Sequence, residues 1–433
     1  MSRAAESLAR ALGAPPSGEP GFASALRRAG ADDFQRLGLP TTRHEDWRYT
    51  SLADLAALPL SPAGPRRVSP AELERLGGLP PAPRLVFVNG RLDPEHTDLA
   101  GLPAGAGAGS LAAALRERPA LVEPHLGRAP FREHALAALN GALFADGALV
   151  HLPDGAAAEA PIHLVFLVLA GAEPAAVFPR TLVIAGRGAR ATLVERWAGE
   201  GTYLAGGLSE IALGEGSALE LVRVQREAPE AFHVGLVGVR QAAGSRYTGR
   251  SVALGARLAR VETRAVLEGE GAENHLDGLY VASGSQLHDH FVHVEHAVPR
   301  GTSRELFKGI LDGTSRGVFA GRVLVRPGAQ KTDAGQVNSN LLLSEDATVD
   351  TRPQLEILAD DVKCSHGGTV GQLDEDALFY LRSRGLDRAT ARALLTWAFA
   401  AEMVERLPAS AREGVRRLVT ARLPDGHRLQ EAA

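Results

Sequence analysis

From about residue 180 to 330 the chain alternates short apolar-rich stretches with turn signals. ATLVERW (191–197), SALELVRV (217–224), ARLARVETRAVL (256–267) and RVLVRP (322–327) place Val and Leu at alternating positions. That period belongs to strands with one buried face. The punctuation is regular. Gly-Arg-Gly closes at Gly188, Gly-Glu-Gly at Gly216, Ala-Ala-Gly at Gly244, Gly-Glu-Gly at Gly271, Pro-Arg-Gly at Gly301 and Arg-Pro-Gly at Gly328, in steps of 28, 28, 27, 30 and 27 residues. A second set, Gly201, Pro229, Gly255, Gly284 and Gly313, falls about halfway between. A strand-rich unit of this length is one coil of chain. No single coil buries its inner edge, and stacking makes one continuous core. The pattern predicts a mainly β fold: a parallel β-helix (solenoid) over 147–372. The absence of a six-residue repeat favours the right-handed form. A β-sandwich with turns every 8–12 residues is the competing reading.

The ends of such a stack are sheet edges that need covering. Two flanking regions are the candidates. Residues 1–146 form a mixed helical domain with helix-forming pieces ESLARALG, FASALRRAG, SLAAALRER and FREHALAALNGALF, separated by stretches such as LPAGAGAGS. The extreme N-terminus, MSRAAESLARALGAPP, reads as a short amphipathic helix. Residues 373–433 form a second helical domain. Asp374 is an N-cap followed by acids that suit the helix dipole, and Gly385 is its stop. Asp387 caps a helix running to about Arg406, and a third spans about 410–422. In the second helix Leu394, Leu395, Trp397, Phe399, Met403 and Val404 spread around most of the circumference. A helix apolar nearly all round is covered on more than one side, by its own bundle or by a partner protein.

Composition narrows the function classes. With 45% hydrophobic and 23% charged residues and a net charge of -4, the chain is ordinary for a globular protein. It lacks the basic balance of a nucleic-acid binder. Its longest apolar run, 164–172, is too short to span a membrane. The single cysteine rules out an internal disulfide and a four-cysteine metal site within one chain, and a cytoplasmic setting is the expectation. Of 47 basic residues only Lys308, Lys331 and Lys363 are lysines. Asn338 and Asn340 are two of only five asparagines. That clustering is either chance or a sign of tight sites where a guanidinium does not serve.

The chemistry concentrates at Cys364 and His366. On a strand, residues two apart share a face, so thiol and imidazole lie side by side with Ser365 turned away. Lys363 nearby favours the thiolate, the metal-binding form. Both groups are ligands for zinc, iron or a cluster, but two ligands do not close a site. A buried structural cysteine beside a surface histidine is the plainer alternative. Upstream, LHDHFVHVEH places His288 and His290 on one strand face, with His293 and Glu295 on the other. His290, His293 and His296 are secondary metal-ligand candidates against a row of ordinary polar side chains. No nucleophilic triad is readable, and no HExxH or GxxxxGK[ST] sequence is present, so no zinc-protease helix or ATP-binding loop is readable either.

SRELFKGILDG (303–313), VFAGRVLV (318–325), AQKTDAGQVNSNLLLS (329–344), PQLEILADDVKCSHGGTVGQLDEDALFYLRSRG (353–385) and HEDWRYTSL (44–52) together resemble the SufB/SufD family of iron–sulfur cluster assembly proteins. The CSHG form is similar to the SufD branch. The resemblance implies a right-handed parallel β-helix between helical regions. It implies a non-enzymatic subunit of a SufB–SufC–SufD scaffold, pairing with SufB through the β-helix and receiving the SufC ATPase on its C-terminal helices. A transient iron–sulfur cluster would form at the SufB–SufD interface, with His366 and Cys364 as this chain's ligands. Leu394, Trp397, Phe399 and Met403 would meet SufC. ATP would not bind this chain directly, a flavin is not readable either way, and a homodimer is the expectation in isolation. The alternative class is a β-helix enzyme acting on acidic polysaccharide, against which the scarcity of aromatic residues argues.

Overall fold

The computed structural model describes residues 3–11 and 18–431. Gly188, Gly216, Gly244 and Gly271 all adopt φ between 61° and 71°, the left-handed region that glycine enters without steric cost. At the last two positions of this set the left-handed residues are Arg300, just before Gly301, and Lys331, three residues after Gly328. Between the turns the chain forms a parallel β-solenoid with two long sheets. Its last ten strands are β1 (Phe232–Gln241), β2 (Arg246–Ala253), β3 (Leu258–Leu267), β4 (Glu273–Ala282), β5 (Leu287–His296), β6 (Thr302–Leu311), β7 (Arg316–Val325), β8 (Asp333–Leu342), β9 (Thr348–Ile357) and β10 (Lys363–Gly371). Odd strands stack in one sheet and even strands in the other. Val261 pairs with His290 and His290 with Phe319, one coil apart each time.

The interior is lined with apolar and aromatic side chains. Phe166 stacks on Trp197 at 4.4 Å, and Phe307 lies 4.9 Å from Phe319. Gly309 is placed where a Cβ would collide with the Tyr280 ring and Asn340, so its hydrogen makes room for both. The sheets begin before residue 147: Arg84–Val88 joins Ile162–Leu169 in parallel. This first end of the stack is closed by two antiparallel pairings, Arg91–Leu92 on Arg84–Val88 and Gly107–Ser110 on Ala148–Leu152.

The helices do not cap the far end. The N-terminal helices α1 (Gly21–Leu37) and α2 (Ala135–Leu143) belong to the cover on the outer face of the odd-strand sheet. There Leu136 and Leu139 share a cluster with Phe232, Leu236 and Leu258. The C-terminal helices are α3 (Glu375–Ser383), α4 (Arg388–Glu405) and α5 (Ala409–Arg422). Asp374 and Asp387 cap the first two through their carboxylates. The chain then turns back along the even-strand sheet. Ala400, Met403, Val404 and Val415 bury against Val222, Val252, Leu279 and Ile310. The expected end cover is therefore a side cover, because the outer sheet face is itself apolar and outbids the edge for the helix. No helix among the described residues is long and apolar enough to cross a membrane.

One charged cluster ties the N-terminal segment to the rod. Arg260, 1% exposed, reaches Asp289 and Glu262, both fully buried. Its guanidinium lies 4.1 Å over the Trp47 ring. Thr50 donates to Asp289, and Arg264 and His134 complete the shell of Glu262 at 2.7 and 3.2 Å. Buried charges persist only when paired and hydrogen-bonded.

Two outcomes follow. Arg260→Ala leaves Asp289 and Glu262 under-paired and is expected to cost about 3–5 kcal/mol. It should lower the urea midpoint and speed protease cleavage around residues 40–52, and an unchanged midpoint would rule the clamp out. The second outcome concerns pH. Burial holds His163, His288, His293 and His296 down at about 4 and His290 at about 3, against the usual 6.5. Between those values the unfolded chain binds more protons than the folded one, so stability falls as pH falls. Glu305, pushed up to about 8 by burial, acts in the opposite sense between its usual 4.5 and 8. Five groups oppose one, so the urea midpoint should drop from pH 7 to pH 5. A flat or rising midpoint contradicts this.

Candidate functional site

β10 is the last strand of its sheet and pairs on one side only, with β8. On the inner row of β8 the buried side chains are Ala334, Gln336, Asn338 and Asn340. Register sets Cys364 opposite Ala334 and His366 opposite Gln336, so thiol and imidazole continue the inner row of the rod. No further coil lies beyond them. Cys364 is half-buried against Val323, Val325 and Ala359, whereas His366 is exposed.

The expectation of a thiolate is not met. Burial, with Asp333 adding to it, pushes the Cys364 thiol above its ordinary value, and a hydrogen bond to the Ala334 backbone offsets this only in part. Lys363 is exposed at the neighbouring position, where alternation turns it to the other side. Cys364 therefore ligates a metal only by giving up a proton that the fold helps it keep.

One coil below His366 on the same inner row lies Gln336, and below that Glu305. Gln336 Nε2 donates to Glu305 Oε2 at 2.5 Å, while Glu305 Oε1 and Gln336 Oε1 have no partner among the described residues. Burial keeps Glu305 protonated at neutral pH. Asn338 and Asn340 continue β8's inner row. Asn340 Nδ2 donates to Asn338 Oδ1 at 2.7 Å, and Asn338 Nδ2 to the Tyr280 hydroxyl at 3.2 Å. The clustering of asparagines is thus a buried hydrogen-bond network.

The three secondary histidines do not converge. His290 is inside, stacked 5.1 Å from the Tyr280 ring. His296 is also inside, six residues further along the strand, with Nε2 2.9 Å from Ser303 Oγ. His293 is on the outer face. A single ion cannot reach side chains on opposite faces of one strand, so these three do not form one ligand set. Among the described residues one group of three metal-type side chains lies close together, Asp93, Glu95 and His96. Asp93 and His96 already bond each other at 3.0 Å.

The lysines divide likewise. Lys308 sits in a tight site: Nζ lies 4.5 Å over the Phe399 ring, donates to the Phe399 carbonyl at 3.3 Å and pairs with Glu402 at 2.6 Å. It bolts α4 to β6. Lys331 pairs with Asp361 at an exposed turn, and Lys363 stands in solvent.

On α4, Leu394 is exposed, and Trp397 and Phe399 are half-buried. Met403 is 4% exposed, packed on the chain's own solenoid. It offers nothing to a second protein in this conformation. The larger exposed apolar surface is on α3, where Phe379 is 72% and Tyr380 56% exposed. Sequence reading passed over these two. The signal was the run Ala377–Leu381, five apolar residues in a helix that buries only Leu378.

Comparison with known proteins agrees with this layout. Residues 167–399 match the family model for the SUF system FeS cluster assembly SufBD core domain, and residues 81–164 match the SufBD protein N-terminal region. An iron–sulfur cluster assembly SufBD family protein of Synechocystis is 36% identical over 92% of this chain and 90% of its own length. The iron–sulfur cluster assembly protein SufD of Escherichia coli is 32% identical over 92% and 91%. A chloroplastic protein of Arabidopsis thaliana is 29% identical over 93% and 86%. The chain therefore belongs to the SufBD family of iron–sulfur cluster assembly proteins, as a homologue of SufD.

Proposed function

We propose that this chain is the SufD-type subunit of a scaffold with SufB and the SufC ATPase, and that a nascent iron–sulfur cluster is held where β10 meets SufB. The observation that carries the reading is an open edge strand, paired on one side only, with an imidazole and a thiol on its inner row. The cluster is cargo to be passed on. His366 supplies an exposed ring nitrogen. Cys364 supplies sulfur once its proton is lost, and Glu305–Gln336 beneath form a polar floor. Two ligands leave the set incomplete, so the partner chain contributes the rest. Placement on strands gives the fixed geometry that a shared ligand set requires.

SufC docks, in this reading, on α3 and the exposed end of α4, through Phe379, Tyr380 and Leu394. ATP is bound and hydrolysed by SufC. Because Lys308 and Met403 hold α4 to the even-strand sheet, displacement of the helices on ATP-driven SufC closure is transmitted to the coils beside the open end. This chain's own part is non-enzymatic: it positions ligands and relays movement.

Two experiments test this. In a purified complex with SufB and SufC, His366→Ala should lower cluster formation on anaerobic reconstitution at least about tenfold, read by visible absorbance, with the subunits still co-eluting. Unchanged assembly removes His366 from the site. The double change Phe379→Ala and Tyr380→Ala should weaken SufC capture by about 2–4 kcal/mol and leave thermal stability and SufB pairing intact. Undiminished SufC capture would place the docking surface elsewhere.

A further inference from the structure

A groove of about 720 Å³ runs between the 127–132 segment and the outer face of the odd-strand sheet. Its upper wall is held rigidly. The buried carboxylate of Glu210 accepts from the backbone N–H groups of Gly127, Arg128 and Ala129 at 3.0, 2.7 and 2.9 Å, and pairs with Arg180 at 2.6 Å. This fixes the backbone from which Arg128 and Arg132 line the groove. Neither guanidinium has an ion pair or side-chain hydrogen bond among the described residues.

The opposite wall is balanced. Arg240 pairs with Glu268 at 2.9 Å, Arg326 with Glu295 at 2.8 Å and Arg264 with Glu262 at 2.7 Å. Arg128 and Arg132 remain as two unmatched positive charges. Between the walls lies His293, whose Nε2 is buried and has no hydrogen-bond partner. Burial, with Arg264 and Arg322 nearby, holds its ring down at about 4, so it adds no charge to the groove at neutral pH. The volume is that of a small-molecule site, and the surplus charge sets the sign of the occupant.

We infer that this groove binds a small molecule bearing two anionic groups, phosphate or carboxylate, one for each of Arg128 and Arg132. The site lies on the outer side of the rod and stands apart from Cys364 and His366, so it does not depend on the function proposed above. Guanidinium is suited to such oxyanions because its donors form a planar fork.

Titration calorimetry on the full chain tests the assignment. Inorganic pyrophosphate is the phosphate probe and citrate the carboxylate probe, and the tighter of the two identifies the ligand class. Saturable one-to-one binding is expected, weakening as salt is raised. Each charge-assisted contact is worth roughly tenfold, so Arg128→Ala with Arg132→Ala should weaken binding by about a hundredfold. Both side chains are exposed, so the melting temperature should stay unchanged. No heat from either probe at millimolar concentration overturns the inference. So does equal binding by the double variant, or a response to an acidic peptide such as poly-glutamate alone.

Discussion

A stack of parallel strands is held by hydrogen bonds from each coil to the coils before and after it, so its last coil must leave a row of N–H and C=O groups unmatched. The rest of this molecule is arranged around that constraint. At the first end the problem is solved internally by short antiparallel strands that close both sheets. At the other end it is left unsolved. β10 is exposed along nearly its whole length and carries Gly367, Gly368 and Val370 where proteins that shield an edge place charges, proline or a bulge. A nine-residue flat edge of this kind is a template for another strand. That is the physical ground for the proposed pairing with a second β-helix, which would complete the hydrogen-bond ladder and the ligand set in one event.

The same constraint explains the placement of the C-terminal helices. Had they folded over the last coil, they would have sealed His366 away from a partner. They turn back instead to an apolar row on the even-strand sheet, and Lys308 fastens them there with a cation–π contact, an ion pair and a carbonyl. A compact ammonium reaches all three, which a wider guanidinium would not. The helices thus remain close to the open end in sequence, through residues 372–374, while they stand clear of it in space.

How much of this was legible depended on whether the signal was local. The coil period was written in turn residues, and alternation placed Cys364 and His366 correctly on one face. It also put His290 and His293 on opposite faces, which already counted against a shared ion. The caps Asp374 and Asp387 were readable because a capping side chain acts within three residues. What was not legible was set by distant residues. The raised Cys364 thiol depends on burial beneath Val323 and Val325 and on Asp333 one coil below, none of which a Lys363-based estimate could see. The side cover required knowing that Val222, Val252 and Ile310 share one apolar cluster on the outer face. Met403 could be read only as apolar, not as facing the chain's own rod. Membership in an assembly family also takes the place of the polysaccharide-cleaving alternative.

The N-terminal strap shows how an open end can still be stiff. Trp47 and Thr50 engage Arg260 and Asp289 on β3 and β5, while Glu45, two residues before Trp47, approaches Arg322 on β7 at 3.9 Å and Arg352 on β9 at 3.3 Å. One short segment therefore crosses four successive coils and reaches the last. The exposed Glu45 contacts contribute little energy alone. Trp47 is different: it is buried under a guanidinium with two buried counter-charges, and it pins the segment so that Glu45 has little freedom left to lose. An edge strand with backbone partners on one side would otherwise fray, and fraying would move His366 by more than a shared ligand set tolerates. Cross-strapping from the outside stiffens the last coils without occupying the hydrogen-bonding edge, which is the one surface the proposed pairing needs free.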